Sequence, residues 1–189
     1  MRRMVPLFLA WLMCGCLRAA TNDVARSTGD TVAADDFDWA NLETGIVLKA
    51  IAMFAADPGG TNAAGAMAII VNFVEASTNV EVGICAELQP WMCRKPAIKK
   101  GGTLLAAFIA GNIRPQLEKH VNQDHPAEGV VLMCEVYKTL RQRGLIQAVP
   151  ELEQWSKLDR AGIDRLIPKR EDYESVPFDK GGTGSGNDQ

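Results

Sequence analysis

Apolar residues that recur at the spacing of an α-helix are the strongest constraint on how this chain folds. In the first such run, apolar side chains fall three and four residues apart, as on one face of a helix. Its apolar positions are Ile46, Val47, Ala50, Ile51, Met53 and Phe54. The same pattern predicts four further helices, which begin after Asn62, near Thr103, and at Pro126 and Pro150. Together they predict an all-α fold, a small bundle of about five helices with one long loop over 77–102.

The segment after the first helix raises the question of a phosphate site, because "DPGGTNAAGAMAIIV" begins with a glycine-rich turn. A phosphate loop of the Walker type requires a lysine and a hydroxyl residue after its second glycine. Ala66 and Met67 occupy those two positions. We therefore interpret the turn as a helix start, capped by Thr61 or Asn62. The helix over 63–76 is apolar on almost all sides, which predicts that it is the buried centre of the domain.

A proline lies within the third predicted helix, which runs over 103–120. Pro115 removes one backbone amide and crowds the carbonyl of Gly111, so the sequence predicts a kink there. Asn112 is predicted to bond the freed backbone group. Two interpretations stay open: a ligand site at the kink around Asn112 and Arg114, or a bend that serves packing alone.

The first residues have the features of an export signal. Two arginines precede a thirteen-residue, largely apolar segment, Val5–Leu17, which is shorter than the roughly 20 residues that span a bilayer. Gly15 before Cys16 resembles the lipid-attachment site of a bacterial lipoprotein, and the alternative is ordinary cleavage near Ala19 or Ala20. In both cases we expect an exported protein of the periplasm or cell envelope, lipid-anchored in the first case.

Polar segments flank the predicted helices and are expected to be disordered, because they contain too few large apolar residues to offset the entropy of folding. The predicted order is a signal peptide over 1–19, a flexible acidic tether over 20–41, a helical domain over 42–168 and a flexible polar tail over 169–189. The whole chain has a formal net charge of -3. This balance does not favour nucleic acid as a partner, since such binding needs a basic face.

The long loop contains two of the cysteines. An exported chain meets an oxidising environment, so we favour a disulfide between Cys85 and Cys93. Cys134 lies in an apolar helical run and is then a buried thiol. If Cys16 is acylated, an odd number of cysteines remains, so any pair among Cys85, Cys93 and Cys134 stays open.

The same loop is the best candidate for an interaction surface. Trp91 has the residue type of an interface anchor. The basic side chains of Arg94, Lys95, Lys99 and Lys100 are suited to anionic lipid, wall polymer or an acidic partner. The alternative is that Trp91 packs into the core and that the basic residues are a solvated loop.

Catalytic and metal motifs are weak throughout the chain. His120 and His125 lie beside Glu118 and Asp124, which are legitimate zinc ligand types, but two histidines at this spacing do not share one helical face. His125 before Pro126 instead resembles a helix start. No G-x-S-x-G elbow is present, so we expect no catalytic residues, no metal and no cofactor.

Two helical segments carry a resemblance. "LLAAFIAGNIRPQLE" and "GVVLMCEVYKTLR" resemble segments of uncharacterised exported bacterial helical proteins with no assigned activity, over about residues 46–160. The resemblance implies export and a helical fold, and it implies no catalytic residue. The expected function is a non-catalytic module that binds another protein of the cell envelope. A cell-envelope hydrolase and a small-ligand-binding protein are the alternatives.

Overall fold

The computed structural model describes residues 38–92 and 97–169. Within these ranges the chain forms six α-helices and one short 3-10 helix, Trp39–Asn41, and it forms no strand. The α-helices are α1 (Thr44–Ala56), α2 (Ala63–Ala76), α3 (Gly101–Lys119), α4 (Pro126–Gln142), α5 (Pro150–Trp155) and α6 (Arg160–Asp164). The predicted all-α bundle is confirmed, and the described parts of the predicted loop 77–102 are irregular up to the start of α3.

Several predictions concern residues outside the described ranges. They are the signal peptide over 1–19, the lipid attachment at Cys16, most of the tether over 20–41 and the tail beyond Lys169. The end of the predicted tether is described, and there the Asp38 carboxylate accepts a hydrogen bond from the Asn41 amide at 3.3 Å. None of the described helices is long and apolar enough to cross a membrane.

Helix α3 is the buried centre of the bundle. It contacts α1, α2 and α4, and every residue from Thr103 to Ile113 is buried. The prediction that α2 holds this central place is wrong, because Gly65 on its outer side is exposed and Ala64 and Ala68 are only half-buried. Helix α3 is rich in alanine and glycine, and such small side chains let neighbouring helices approach closely from several sides.

Two glycines set the distance between α3 and α4. A Cβ atom added at Gly111 of α3 would collide with the carbonyl oxygen of Glu128 and would lie 2.9 Å from the Leu132 Cβ. A Cβ atom added at Gly129 of α4 would lie 2.7 Å from the carbonyl oxygen of Phe108. Each glycine therefore admits the backbone of the other helix, and the two helices pack backbone against backbone.

The predicted helix starts are confirmed, but not all of their caps are. Helix α2 begins at Ala63, yet Asn62 makes no side-chain capping bond. Its backbone is already helical, with φ -86° and ψ -8°, whereas a capping residue adopts an extended conformation that turns its side chain towards the free amides. Helix α4 begins with Pro126 directly after His125, as predicted.

The fifth predicted helix is divided into two short helices, α5 and α6. The break lies at residues 156–159, and the Asp159 carboxylate accepts a hydrogen bond from the Gly162 amide at 2.7 Å. Aspartate is a strong N-cap residue, so it starts a new helix where the apolar spacing alone predicts continuation. Leu158, beside the break, remains 40% exposed.

Candidate functional site

The glycine-rich turn between α1 and α2 is a packed connection. The Asp57 carboxylate pairs with the Arg143 guanidinium at the end of α4. A Cβ atom added at Gly59 would lie 2.5 Å from the Leu145 side chain, and one added at Gly60 would collide with the Asp57 carboxylate. These glycines therefore permit close approach within the turn, which accounts for their presence without a phosphate.

The predicted ligand residue Asn112 is fully buried and hydrogen-bonded. Its side-chain amide nitrogen donates to Asp124 Oδ1. Its side-chain oxygen accepts from the His125 amide and from Gln116 Nε2, both at 2.9 Å. The prediction that Asn112 bonds the backbone group freed by Pro115 is therefore wrong, because its side chain is directed to the α3–α4 connection.

Gln116 lies one turn later on α3, and its side chain forms hydrogen bonds with the long loop over 77–102. Its Nε2 donates to the carbonyl oxygen of Glu81 at 2.7 Å, and its Oε1 accepts from the Glu81 amide at 2.9 Å. Asp124 adds a further contact, since its Oδ1 accepts from the Gly83 amide at 3.2 Å. We call Asn112, Gln116 and Asp124 the amide cluster. It binds the loop and the α3–α4 connection to the central helix.

The amide cluster favours packing over ligand binding at Pro115. Both functional groups of Asn112 and of Gln116 are engaged by protein groups. Helix α3 continues through Pro115 to Lys119, and Arg114 beside it is half-buried. Sequence reasoning singled out Asn112 but missed Gln116, although the two lie one turn apart on one face of the helix.

The proposed interaction loop is only partly exposed. Trp91 is 1% exposed, and its ring meets that of Trp155 edge-on, with the centroids 6.5 Å apart at 67°. Its indole therefore packs in the core, which is the alternative that the sequence left open. Lys99 and Lys100 are exposed, while Arg94 and Lys95 lie outside the described residues.

A buried polar residue of the same loop was missed by sequence reasoning. Gln89 is 1% exposed, and neither its side-chain oxygen nor its nitrogen has a hydrogen-bond partner among the residues that the structure describes. The Trp91 indole nitrogen is likewise buried without a partner within the described ranges. An unpaired buried polar group costs about 1–3 kcal/mol, so these groups lower the stability of this part of the fold.

The two described cysteines form no disulfide with each other or with any other described residue. Cys85 is half-buried and Cys134 is buried, and burial raises the pKa of Cys134 to about 11. Burial also raises the pKa of Cys85. Cys93 lies outside the described residues, so its disulfide with Cys85 stays a prediction. A thiol held neutral in this way is a poor nucleophile.

His120 and His125 do not form a common site. His120 is exposed at the end of α3, where its backbone adopts a left-handed conformation with φ 54°. His125 is half-buried at the start of α4. Across residues 38–92 and 97–169 no three histidine, cysteine or carboxylate side chains are grouped to hold a metal ion.

The outward side of α1 is unusually apolar. Ile46 and Met53, which belong to the apolar pattern of the first predicted helix, are each 44% exposed. We call the exposed stripe of this helix the α1 outer face; it consists of Gly45, Ile46, Lys49, Ala52, Met53 and Ala56. Lys49 is its one charged residue. That lysine lies three residues after Ile46 and four before Met53, which is the sequence signal that marks this stripe as outward-facing.

A cleft of about 370 Å³ lies between α4 and the α5–α6 region. We call it the α4–α6 cleft; it is lined by Val131, Cys134, Glu135, Lys138, Trp155, Ser156, Leu158, Arg160 and Ile163. Its apolar members include Cys134 and Ile163, which are buried, whereas Glu135, Lys138 and Arg160 are exposed. The cleft therefore has an apolar floor and a charged rim.

Comparison with known proteins finds no matching family model, no significantly similar curated protein and no significantly similar solved structure. Similarity therefore assigns no functional residue. The α1 outer face and the α4–α6 cleft are two surfaces of the described residues that present apolar side chains.

Proposed function

We propose that this chain is an exported, non-catalytic protein of the bacterial cell envelope that binds another protein. The observation that carries the proposal is the α1 outer face. A helix at the surface of a globular domain normally presents charged and polar residues to water. On this helix the outward stripe has one charge, and Ile46 and Met53 are exposed.

The chemistry of the face indicates the kind of partner. Exposed apolar side chains grouped on one surface are typical of protein interfaces. Methionine adapts to irregular surfaces, and small residues such as Gly45, Ala52 and Ala56 permit close approach of a second backbone. The partner that fits is a protein with an apolar helix face and a carboxylate placed opposite Lys49.

The export part of the proposal rests on the first residues. The arginine pair and the apolar segment Val5–Leu17 support a signal peptide, and Gly15 before Cys16 supports lipid attachment. A disulfide between Cys85 and Cys93 belongs to the same proposal, because export places both thiols in an oxidising compartment. The exposed Lys99 and Lys100 support a secondary contact with acidic groups.

The test is affinity capture from an envelope extract with the mature chain and two variants. Ile46→Glu combined with Met53→Glu places charges on the α1 outer face without removing a buried side chain. Val121→Glu is the matched control, because Val121 is 41% exposed and lies outside this face. We expect one stoichiometric partner with the parent and with Val121→Glu, and its loss with the double variant.

Two outcomes would contradict the proposal. Equal recovery of the partner by the double variant would remove the α1 outer face as the binding surface. Turnover of an envelope polymer by the purified chain, with no partner recovered, would make it a hydrolase instead. Trp91→Ala does not test a binding surface. The Trp91 side chain is buried, and its removal would destabilise the fold by several kcal/mol.

A further inference from the structure

The α4–α6 cleft has the chemistry of a peptide-binding groove. Leu158 on its wall is 40% exposed, an unusual position for a leucine beside an apolar floor. Trp155 and Val131 are half-buried and also line it. The cleft therefore offers apolar surface that an extended segment with two or three large side chains would cover.

One cation of the rim is available to an acidic segment. Lys138 is exposed and forms no salt bridge with any described residue. Arg160 adds a second cation, although it already pairs with Glu128 and Asp164. Glu135 is the one carboxylate among the lining residues. The unpaired lysine at the edge of apolar surface is where a carboxylate flanking an aromatic residue would bind.

The chain itself contains such a segment a few residues after α6 in the sequence. The described residues end at Lys169, shortly after α6, and α6 contributes Arg160 and Ile163 to the lining. The sequence Glu171–Asp179 contains four carboxylates and no basic residue. Its large apolar side chains are those of Tyr173, Val176 and Phe178.

The length of chain permits this contact. The nine residues from Arg170 to Phe178 can extend over about 30 Å, which is about the diameter of a small domain. A segment tethered this closely has an effective concentration of about a millimolar. Even weak apolar and ionic contacts would then keep it bound.

We propose that the α4–α6 cleft binds the segment Glu171–Asp179 of the same chain, with Tyr173 and Phe178 on the apolar floor and a carboxylate at Lys138. The segment acts as a resident ligand, which any other acidic peptide must displace. The proposal is independent of the proposed function, because the α1 outer face contributes no residue to the cleft.

Hydrogen exchange of the full chain, read by mass spectrometry, tests the proposal. We expect amides within 171–179 to exchange at least about tenfold more slowly in the parent chain than in a free peptide of residues 171–179, because binding protects them. Lys138→Glu and Leu158→Asn should each abolish this difference. Lys99→Glu is the matched control and should preserve it. Exchange at equal rates in the parent and in the free peptide, or protection that survives both cleft variants, would overturn the proposal.

A second measurement uses the segment as a free peptide. The substitutions Tyr173→Ser and Phe178→Ser in the full-length chain should release the segment from the cleft. A synthetic peptide of residues 171–179 should then bind the cleft of this variant, and its affinity should fall as the salt concentration rises. The parent chain should bind the same peptide at least about tenfold more weakly, because its own segment competes. Equal binding by both chains, or no binding by either, would contradict the proposal.

Discussion

Buried side-chain amides show how strongly single residues of the same type differ in this fold. Gln89 and Gln116 are each 1% exposed. Gln116 bonds both backbone groups of Glu81, whereas neither side-chain atom of Gln89 has a partner in the described part of the chain. The energetic effect of a buried amide depends on whether its bonds to water are replaced.

This contrast predicts opposite effects of the same substitution. Gln89→Met keeps the volume and removes two unpaired polar atoms, so it should raise the free energy of unfolding by about 1–2 kcal/mol. Gln116→Met should lower it by about 2–3 kcal/mol, because it removes both hydrogen bonds between Gln116 and the Glu81 backbone. Urea denaturation followed by circular dichroism measures both. A destabilising Gln89→Met would show that this amide is paired in solution.

Cysteine reactivity is a second prediction at the residue scale. Burial raises the pKa of Cys134 to about 11, so at pH 8 only about a thousandth of this thiol is ionised. Alkylation of Cys134 in the native chain should therefore be slow and should accelerate about tenfold per pH unit. Iodoacetamide labelling with peptide mapping measures this. The prediction would be contradicted if Cys134 were alkylated as fast in the folded protein as in the protein unfolded by guanidinium.

The same pKa has a consequence for stability. Its ordinary value is near 9, so between pH 9 and pH 11 the unfolded chain loses a proton that the native chain keeps. The native state then binds more protons than the unfolded state, and stability falls as pH rises through this window.

At the scale of the elements, the contact between α3 and α4 is set by glycine. Gly111→Ala should destabilise the protein by about 3 kcal/mol, because the new methyl group meets the backbone of α4, which cannot move aside without shifting the helix. Gly65→Ala is the matched control, since Gly65 is also helical but has no atom within 4 Å of its added Cβ.

The control substitution should change the stability in the opposite direction. Gly65→Ala reduces the entropy of the unfolded chain and should stabilise the protein by about 0.5–1 kcal/mol. Thermal unfolding of both variants measures the difference. Equal effects would mean that the close approach at Gly111 does not exist in solution, and that α3 and α4 are further apart.

At the scale of the whole molecule, one prediction concerns the residue at which the mature chain begins. If Cys16 is acylated, the intact mass should correspond to residues 16–189 plus a diacylglyceryl group, and the protein should partition with membranes. Intact-mass spectrometry of the protein from envelope fractions decides between this and cleavage near Ala19 or Ala20. A Cys16→Ser variant should lose membrane association, and its retention there would exclude lipid attachment as the anchor.

The fold class and most helix positions follow from the sequence because they depend on local spacing. Ala63, Pro126 and Pro150 begin helices where glycine, proline and apolar periodicity indicate them. The division between α5 and α6 was not anticipated, because the capping bond from the Asp159 carboxylate outweighs a continuous apolar pattern.

The candidate sites were only partly predictable, because exposure depends on which helix lies at the centre. Ile46 and Met53 have the residue type of a core, and only the position of α1 at the edge of the bundle exposes them. Trp91 has the residue type of an interface anchor, and only the tertiary structure shows that its side chain is buried and packs against Trp155.

The sequence by itself determined that this protein is helical and where most of its helices begin, since helix formation and termination are decided by residues within a few positions of one another. The tertiary structure alone decided that α3 rather than α2 is the centre, and that the amide of Gln116 rather than that of Gln89 is paired. These features depend on residues far apart in the chain, and contacts of that kind form only when the helices pack together.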